Sequence, residues 1–159
     1  MPEILLPAIQ TDTVTVYLGD TVAVLPMLDT SSVDSIITDP SYGLQFCDQT
    51  WDGAKGFRES LTGVDTSGMS DAEVFETRCH AWALSALHVL KLGGHLAAFG
   101  GTRTWHRMVR GVESAGFEIR DQIAWLYSTG MPKSMDLSRV IDQHLGAVRV
   151  DRVVEVSDG

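Results

Sequence analysis

A carboxylate and an aromatic ring stand three residues apart in the tetrapeptide Asp39-Pro40-Ser41-Tyr42, which directly follows the apolar run Ser35-Ile36-Ile37-Thr38. A carboxylate can accept hydrogen bonds from hydroxyl or amino groups. In open α/β sheets, ligands bind beyond the carboxyl ends of the strands, and the tetrapeptide occupies such a position. An Asp-Pro dipeptide after a strand is also a common turn, so these four residues alone leave both a turn and a ligand site open.

Two further features follow segments that the sequence predicts to be strands. Gly19-Asp20 comes after the alternating segment 14–18, and Gly100-Gly101 comes after the apolar segment 95–99. Glycine at such a point lets the backbone approach a bound molecule closely. Three features at equivalent strand ends therefore indicate a ligand site more strongly than any one of them.

Strands and helices must alternate to place these features together. The pattern predicts strands at 14–18, 34–38 and 95–99, with two more strand-like pieces between Phe117 and Tyr127. Segment 34–38 is apolar on both sides, which is typical of parallel sheets with helices covering both faces. We therefore expect α/β architecture with a largely parallel sheet.

Four helices are predicted between and after these strands. Their expected bounds are 21–28, then from Ser70 to Gly93-Gly94, from Thr102 to Gly116, and from Ser134 or Asp136 to about Leu145. Ser70-Asp71-Ala72-Glu73 is a capping box, and glycine commonly follows the end of a helix. The helix after Ser70 repeats apolar residues at the helical period, namely Phe75, Cys79, Trp82, Ala86 and Leu90.

Residues 43–69 form a long polar stretch rich in Gly, Asp and Thr. A loop of this length inside a compact domain is uncommon unless it has a function. We interpret it as a lid or a substrate-contacting loop, with a partly disordered connector as the alternative. Trp51 and Phe57 could stack against a ligand or could anchor the loop on the core.

The bulk composition predicts one soluble domain. The chain has 159 residues, of which 44% are hydrophobic, and no stretch of it is long and apolar enough to span a membrane. We expect a cytoplasmic protein without membrane contact and without a bound metal. Cys47 and Cys79 are expected to be reduced thiols rather than a disulfide or a metal site.

The net charge of -9 is unfavourable for contact with phosphates, but the charge is unevenly distributed. Basic side chains exceed acidic ones only in residues 100–140, by six to four. If a nucleic acid binds, its backbone is expected at these basic residues, which are Arg103, Arg107, Arg110, Arg120, Lys133 and Arg139. Solvated cations on helix surfaces are the alternative for each.

The tetrapeptide and its flanking segments together resemble the phage and bacterial DNA amino-methyltransferases, in which the motif reads Asp-Pro-Pro-Tyr. The similarity extends over residues 14 to 149. The segments that carry it are Gly19-Asp20, Val33 to Leu44, Trp51-Asp52-Gly53, Leu92 to Thr104, Gly116 to Asp121 and Gly130 to Leu137. The resemblance implies a Rossmann-like fold that transfers a methyl group from S-adenosylmethionine to an exocyclic amino group of adenine or cytosine in DNA.

The resemblance also implies roles for individual residues of the motif. Asp39 and Pro40 match the acceptors of the two amino hydrogens, and Tyr42 matches the aromatic residue that stacks on an extruded base. Ser41 departs from the usual second proline; serine keeps the backbone acceptors but lacks the fixed φ of proline.

Other positions match the cofactor and DNA contacts of the family. Asp20 and Gly100 are expected beside S-adenosylmethionine, although Asp20 could equally be a simple turn residue. Arg103, Lys133 and Ser134 are expected beside the DNA, although a helix-capping Ser134 with a solvated Lys133 would explain that pair without DNA.

One departure concerns the cofactor site itself. In permuted members of the family the catalytic motif precedes an Asp-Pro-Phe-x-Gly-x-Gly loop that admits the methionine part of the cofactor, and this sequence contains no such loop. The resemblance therefore implies the amino-terminal catalytic half of the fold, an incomplete single domain over 1–159. We expect either a truncated coding region or a second polypeptide that supplies the cofactor loop and the target-recognition region.

Three functional hypotheses follow. The first is a DNA amino-methyltransferase or its catalytic fragment, with adenine and cytosine both open. The second keeps the chemistry but changes the substrate to an amino group in RNA or on protein glutamine. The third is an inactive methyltransferase remnant, which Ser41 and the missing cofactor loop favour.

Overall fold

A computed structural model describes residues 6–45, 48–126, 128–129 and 137–146. The chain divides into two compact units, Met1–Asp121 and Gln122–Gly159. The first unit contains β1 (Ile9–Gln10), β2 (Thr15–Val16), α1 (Thr21–Val24), β3 (Val33–Thr38), α2 (Ala54–Ser60), α3 (Asp71–Val89), β4 (Leu90–Ala98) and α4 (Trp105–Ser114). Two short 3₁₀ helices, Leu25–Met27 and Thr50–Asp52, also belong to it. The second unit contains α5 (Leu137–Leu145).

Helix α3 provides most of the core and begins as the sequence predicts. The Ser70 hydroxyl accepts from the Glu73 backbone N–H, and the Glu73 carboxylate accepts from the Ser70 backbone N–H, so the capping box is confirmed. The predicted inward positions of this helix are buried. Burial raises the pKa of the Cys79 thiol to about 12, so this free cysteine stays protonated and unreactive.

Strands β3 and β4 form a two-stranded parallel sheet, as expected for segments 34–38 and 95–99. The prediction that Gly93-Gly94 ends the helix is wrong: α3 ends at Val89, and the chain passes directly into β4. The two glycines lie inside that strand at a bulge, where the register shifts between the pairs Val33–Leu90 and Ser35–His95. A side chain at Gly94 would lie 3.0 Å from the Asp34 carbonyl oxygen, so this close approach requires glycine.

Only one face of this sheet is covered within the described residues. Ile36, Leu96 and Ala98 pack against the buried side chains of α3 and α4. Ile37 points the other way and is 79% exposed. The expectation that helices cover both faces of a buried sheet is therefore wrong for this part of the chain, although β3 is apolar on both sides as the sequence indicates.

The strand predicted at 14–18 is not part of this sheet. Only Thr15–Val16 is extended with a partner, and it pairs antiparallel with Ile9–Gln10 in a separate hairpin. The two strand-like pieces predicted after Phe117 do not form strands between 117 and 126. Alternating sequence favours extended backbone, but it does not specify which strand becomes the neighbour.

The stretch 43–69 is partly helical, which corrects the expectation of one long loop. It contains the 3₁₀ helix Thr50–Asp52 and helix α2. Phe57 on α2 is buried, and its ring lies 5.7 Å from that of Phe75 on α3. Trp51 is 58% exposed. Of the two interpretations offered for these aromatic residues, Phe57 takes the role of core anchor, whereas Trp51 faces solvent.

The remaining helices follow their predicted positions with small changes at the ends. The N-cap of α4 is Thr104 rather than Thr102, and Gly116 follows this helix with a φ of 111°. In the second unit, α5 ends at Leu145 before Gly146, as predicted. The predicted starting residues Ser134 and Asp136 lie outside the described residues.

Two kinds of feature are absent from the described residues. None of their helices is long and apolar enough to cross a membrane. Within the same residues, no group of three or more His, Cys, Asp or Glu side chains is arranged to hold a metal ion.

Helices α3 and α4 approach each other closely at Gly111. A Cβ atom there would lie 2.6 Å from the Glu76 carbonyl oxygen and 2.7 Å from the Cys79 Cβ. We predict that Gly111→Ala destabilises the protein by about 1–3 kcal/mol, because overpacking outweighs the higher helix propensity of alanine. Unfolding in urea measures this, with Glu113→Ala on the exposed side of the same helix as the control. A stabilised Gly111→Ala variant would show that the two helices are not in close contact here.

Candidate amine-binding site

The carboxyl ends of β3 and β4 lie side by side. Thr38 pairs with Ala98, and the Phe99 backbone N–H donates to the Thr38 carbonyl at 3.0 Å. The residues that follow the two strands, Asp39 on one and Gly100 on the other, therefore emerge at the same edge of the sheet. Two of the three strand-end features are brought together, whereas Gly19-Asp20 follows β2 in the separate hairpin.

Asp39 and Tyr42 contact each other at this edge. The Tyr42 hydroxyl donates to Asp39 Oδ1 at 2.5 Å. Asp39 is exposed, whereas the three residues after it are partly buried. A carboxylate accepts up to about four hydrogen bonds through its two oxygens, so Asp39 can accept from a ligand while Tyr42 holds it. The pair thus combines a hydrogen-bond acceptor with an adjacent aromatic ring.

The backbone after the motif is bound by two side chains from elsewhere in the chain. The Thr104 hydroxyl donates to the Tyr42 carbonyl at 2.6 Å. The Asp52 carboxylate accepts from the backbone N–H groups of Gly43, at 2.8 Å, and Leu44, at 3.3 Å. The sequence alone indicates no role for either side chain. Both residues lie in segments that carry the family resemblance, Trp51-Asp52-Gly53 and Leu92 to Thr104.

Close packing also restricts the motif. Gly43 has a φ of 68°, and a side chain there would lie 2.7 Å from the Phe75 ring. A Cβ atom on Gly101 would lie 3.3 Å from the Tyr42 Cβ. The Ser41 hydroxyl reaches the Trp51 carbonyl at 3.5 Å, which is a long and weak hydrogen bond. The segment is therefore held against α3 and the start of α4.

Asp20 is engaged by the protein on two sides. It caps α1 by accepting from the Val22 N–H at 2.9 Å, and it forms an ion pair with Arg78 at 2.9 Å. Burial raises the pKa of the Asp20 carboxyl, but the hydrogen bonds from Val22 and Arg78 and the positive charge of Arg78 outweigh it, so the pKa lies below the usual 3.8. The Asp20 side chain is still 46% exposed, which leaves room for a further donor.

Gly100, the second residue expected beside a cofactor, is exposed at the end of β4. A Cβ atom there would lie 2.8 Å from the Met108 Cε. Packing against the flexible end of that methionine accounts for the glycine without a ligand. Neither Asp20 nor Gly100 makes a described contact with the other.

The basic residues of segment 100–140 divide into two groups. Arg107 and Arg110 both pair with Glu76, at 3.0 and 3.2 Å, and Arg120 pairs with Glu118 at 2.6 Å. Arg103 is exposed and has no ion pair among the described residues. It borders a cleft of about 280 Å³ that also contacts Gly43 of the motif segment. Lys133, Ser134 and the side chain of Arg139 lie outside the described residues.

The Asp20–Arg78 pair makes a pH-dependent contribution to stability. Because the pKa of Asp20 is lowered in the folded state, the contribution is present above the usual pKa and is lost as the pH falls through the folded-state value. We predict that Asp20→Asn, which retains a good N-cap residue, lowers the free energy of unfolding at pH 7. The difference from the wild type should diminish as the pH falls below about 5.

Urea unfolding of both proteins across this pH range measures the difference. Asp34→Asn is the matched control, because the Asp34–Lys91 pair is exposed at both side chains and contributes little. A difference between Asp20→Asn and the wild type that does not change with pH would contradict the prediction.

Comparison with known proteins points to one kind of enzyme. The Type II methyltransferase M.HindIII of Haemophilus influenzae matches with 24% identity over 149 aligned residues, which cover 80% of this chain and 48% of that protein. No family model matches the chain. No solved structure matches it significantly.

The similarity and the architecture agree at a coarse level. The first unit is a mixture of helices and strands with a parallel strand pair, and the matched region includes most of the chain. The chain spans about half the length of the curated relative that it matches. The chain is thus similar to a Type II methyltransferase over about half of that protein's length.

Proposed function

We propose that this chain is the amine-binding part of a DNA amino-methyltransferase that uses S-adenosylmethionine. The observation that carries the proposal is the contact between Asp39 and Tyr42 at the carboxyl end of β3, beside the end of β4. The similarity to a Type II methyltransferase supports it independently.

The proposed chemistry follows from the weakness of an exocyclic amine as a nucleophile, since its lone pair is delocalised into the ring. The Asp39 carboxylate and the Pro40 carbonyl would accept the two amino hydrogens and return electron density to the nitrogen. The Tyr42 ring would stack on the extruded base. Ser41 preserves these backbone acceptors, so its departure from the family motif is compatible with activity.

When bound, S-adenosylmethionine would supply an electrophilic methyl group. The amino nitrogen would form a bond to this methyl carbon as the carbon–sulfur bond breaks, S-adenosylhomocysteine would leave, and the nitrogen would release one proton to solvent. The exposed part of Asp20 can accept from a hydroxyl group of S-adenosylmethionine, and Gly100 presents bare backbone at the same edge as Asp39. We propose both as its contacts within a Rossmann-like fold.

DNA is the proposed substrate, with Arg103 as its contact in the described part of the chain. Arg103 is exposed, borders the cleft beside the motif, and carries no ion pair there. We propose Lys133 and Ser134 as further contacts. Because the net charge is -9, binding should rest on few phosphates and should require the remainder of the methyltransferase.

The remainder is proposed to come from a further polypeptide or from additional chain. Its expected contributions are the methionine-binding loop and the recognition of the target sequence. The chain spans about half of its relative, and the outer face of the β3–β4 sheet is open at Ile37, which offers a surface for such a partner.

Replacing Asp39 tests the central claim. We predict that Asp39→Ala lowers methyl transfer by at least about 100-fold, because it removes an acceptor for the reacting amine. The assay follows label from methyl-labelled S-adenosylmethionine into duplex DNA, with RNA and protein as parallel acceptors, in the protein purified from its own cells with accompanying polypeptides.

Asp34→Ala is the matched control, because Asp34 lies on the same strand, pairs with Lys91 at the surface and is not part of the motif. It should retain wild-type transfer. Equal activity of Asp39→Ala and the wild type would refute the assignment of the site, and label in RNA or protein but not in DNA would refute the substrate.

The chain without further polypeptides is predicted to bind S-adenosylmethionine only feebly. The sequence contains no loop of the kind that admits the methionine part of this molecule, and the similarity covers only half of a complete relative. Titration calorimetry should show no saturable heat at micromolar concentrations of chain and ligand. Saturable micromolar binding would show that this chain holds the methyl donor by itself.

A further inference from the structure

We propose that Thr104 and Asp52 are positioning residues, which fix the backbone after Tyr42 and thereby hold its ring in place beside Asp39. The inference rests on the proposed function, because it concerns the same site. Neither side chain is expected to touch the amine; each would act through the motif.

The backbone from residue 42 to residue 45 is bound at every position by these two residues. Thr104 donates to the Tyr42 carbonyl, and the Asp52 carboxylate accepts from Gly43 and Leu44. The Gln45 N–H then donates to the Asp52 carbonyl at 2.8 Å. One hydroxyl and one aspartate thus bind one backbone polar group in each of four consecutive residues.

The conformation that they hold is not one the chain adopts readily. Gly43 and Gln45 both have positive φ, of 68° and 52°. A non-glycine residue such as Gln45 persists in this region only where the surrounding structure determines it. The hydrogen bond from the Gln45 N–H to the Asp52 carbonyl holds Gln45 in this conformation.

Thr104 is used differently from an ordinary N-cap threonine. It occupies the N-cap of α4, but its side chain makes no hydrogen bond to the first turn of that helix. Such a cap bond typically stabilises the start of a helix. The hydroxyl instead donates to the Tyr42 carbonyl, so its contact serves the motif and not its own helix.

Asp52 is buried where its carboxylate contacts the backbone of the motif segment. Its exposed fraction is 3%, and a carboxylate at such a position is tolerated only when hydrogen bonds replace its water. The N–H groups of Gly43 and Leu44 supply two of these bonds. The acidic residue of the string Trp51-Asp52-Gly53 therefore acts on the motif and not on solvent.

The effect on chemistry would come through the direction of the Tyr42 ring. The ring branches from the Tyr42 Cα, and the peptide group that follows this atom is held at both ends: Thr104 binds its carbonyl and Asp52 binds its N–H, which belongs to Gly43. The ring hydroxyl bonds to Asp39. A shift of this peptide would move the ring and the carboxylate together. A misplacement of about 1 Å at a reacting centre can lower the rate about 100-fold.

Thr104→Val and Thr104→Ser form the matched pair for the test. Valine keeps the shape and removes the donor, whereas serine keeps the donor. Because no cap bond is lost, Thr104→Val should leave helix α4 and the fold intact. Two properties are measured in the full chain with its accompanying polypeptides: the kinetics of methyl transfer to DNA, and the NMR signals of the Tyr42 ring in ¹³C-tyrosine-labelled protein, assigned with Tyr42→Phe.

We expect Thr104→Val to lower kcat about 10- to 100-fold with KM for DNA nearly unchanged, and to shift or broaden the Tyr42 signals. Thr104→Ser should restore both properties. A Tyr42 signal that is the same in wild type and Thr104→Val overturns the inference, as does an unchanged kcat. Absence of transfer in the wild type refutes the proposed function, and the ring signals then still decide whether Thr104 fixes Tyr42.

Asp52→Asn is the second variant tested. The amide keeps one accepting oxygen, and its NH₂ group would face one of the two backbone N–H donors that the carboxylate binds. We expect it to change the same Tyr42 signals. Tyr17 should be unaffected in both variants, because it lies near the separate hairpin. If Asp52→Asn is less stable than the wild type but its folded form gives the same Tyr42 signals, Asp52 contributes to stability alone.

Discussion

The parallel pairing of β3 with β4 is the interaction on which the candidate site depends. The last hydrogen bond of the pair runs from the Phe99 N–H to the Thr38 carbonyl. It places the segments that follow β3 and β4 next to each other, although about sixty residues separate them in sequence. The intervening helix α3 makes this possible, because a parallel pair needs a crossover that returns the chain to the same end of the sheet. The core on α3 and α4 then supports only the inner face, through Ile36, Leu96 and Ala98. The same two strands thus position the motif at their carboxyl ends and pack against the core with their inner face.

The motif itself is held mainly by polar contacts, which distinguishes it from the core beneath. A hydrogen bond contributes about 1 kcal/mol net between neutral groups and about 1.5–3 kcal/mol when one partner is charged. The effect of these contacts lies in direction: the bonds from Thr104 and to Asp52 specify where the backbone after Tyr42 must lie, whereas hydrophobic contacts do not depend on angle. Packing of the Phe75 ring beneath Gly43 adds a steric limit on the same segment.

The sequence was sufficient for features that depend on neighbouring residues. The capping box of α3, the end of α5 before Gly146, and the position of Asp39 directly after a strand all appear in the structure. Features that depend on distant partners were missed. The glycine pair 93–94 resembles a helix end, but pairing of Leu90 with Val33 draws the chain into a strand earlier. Segment 14–18 alternates correctly, yet its partner is Ile9–Gln10 and not the parallel sheet. Asp52 could not be identified because its role exists only through contact with Gly43 and Leu44.

The uncovered face of the β3–β4 sheet affects how readily the chain associates with itself in solution. Ile37 on this face is exposed. Among the described residues, neither outer edge of the strand pair has a neighbouring strand. Other chains can add to such unpaired strand edges. The net charge of -9 opposes such addition through repulsion between like-charged molecules. At physiological ionic strength that repulsion extends only about 8 Å, so added salt favours self-association of the separate chain, and a polypeptide that occupies this face acts as its solubiliser.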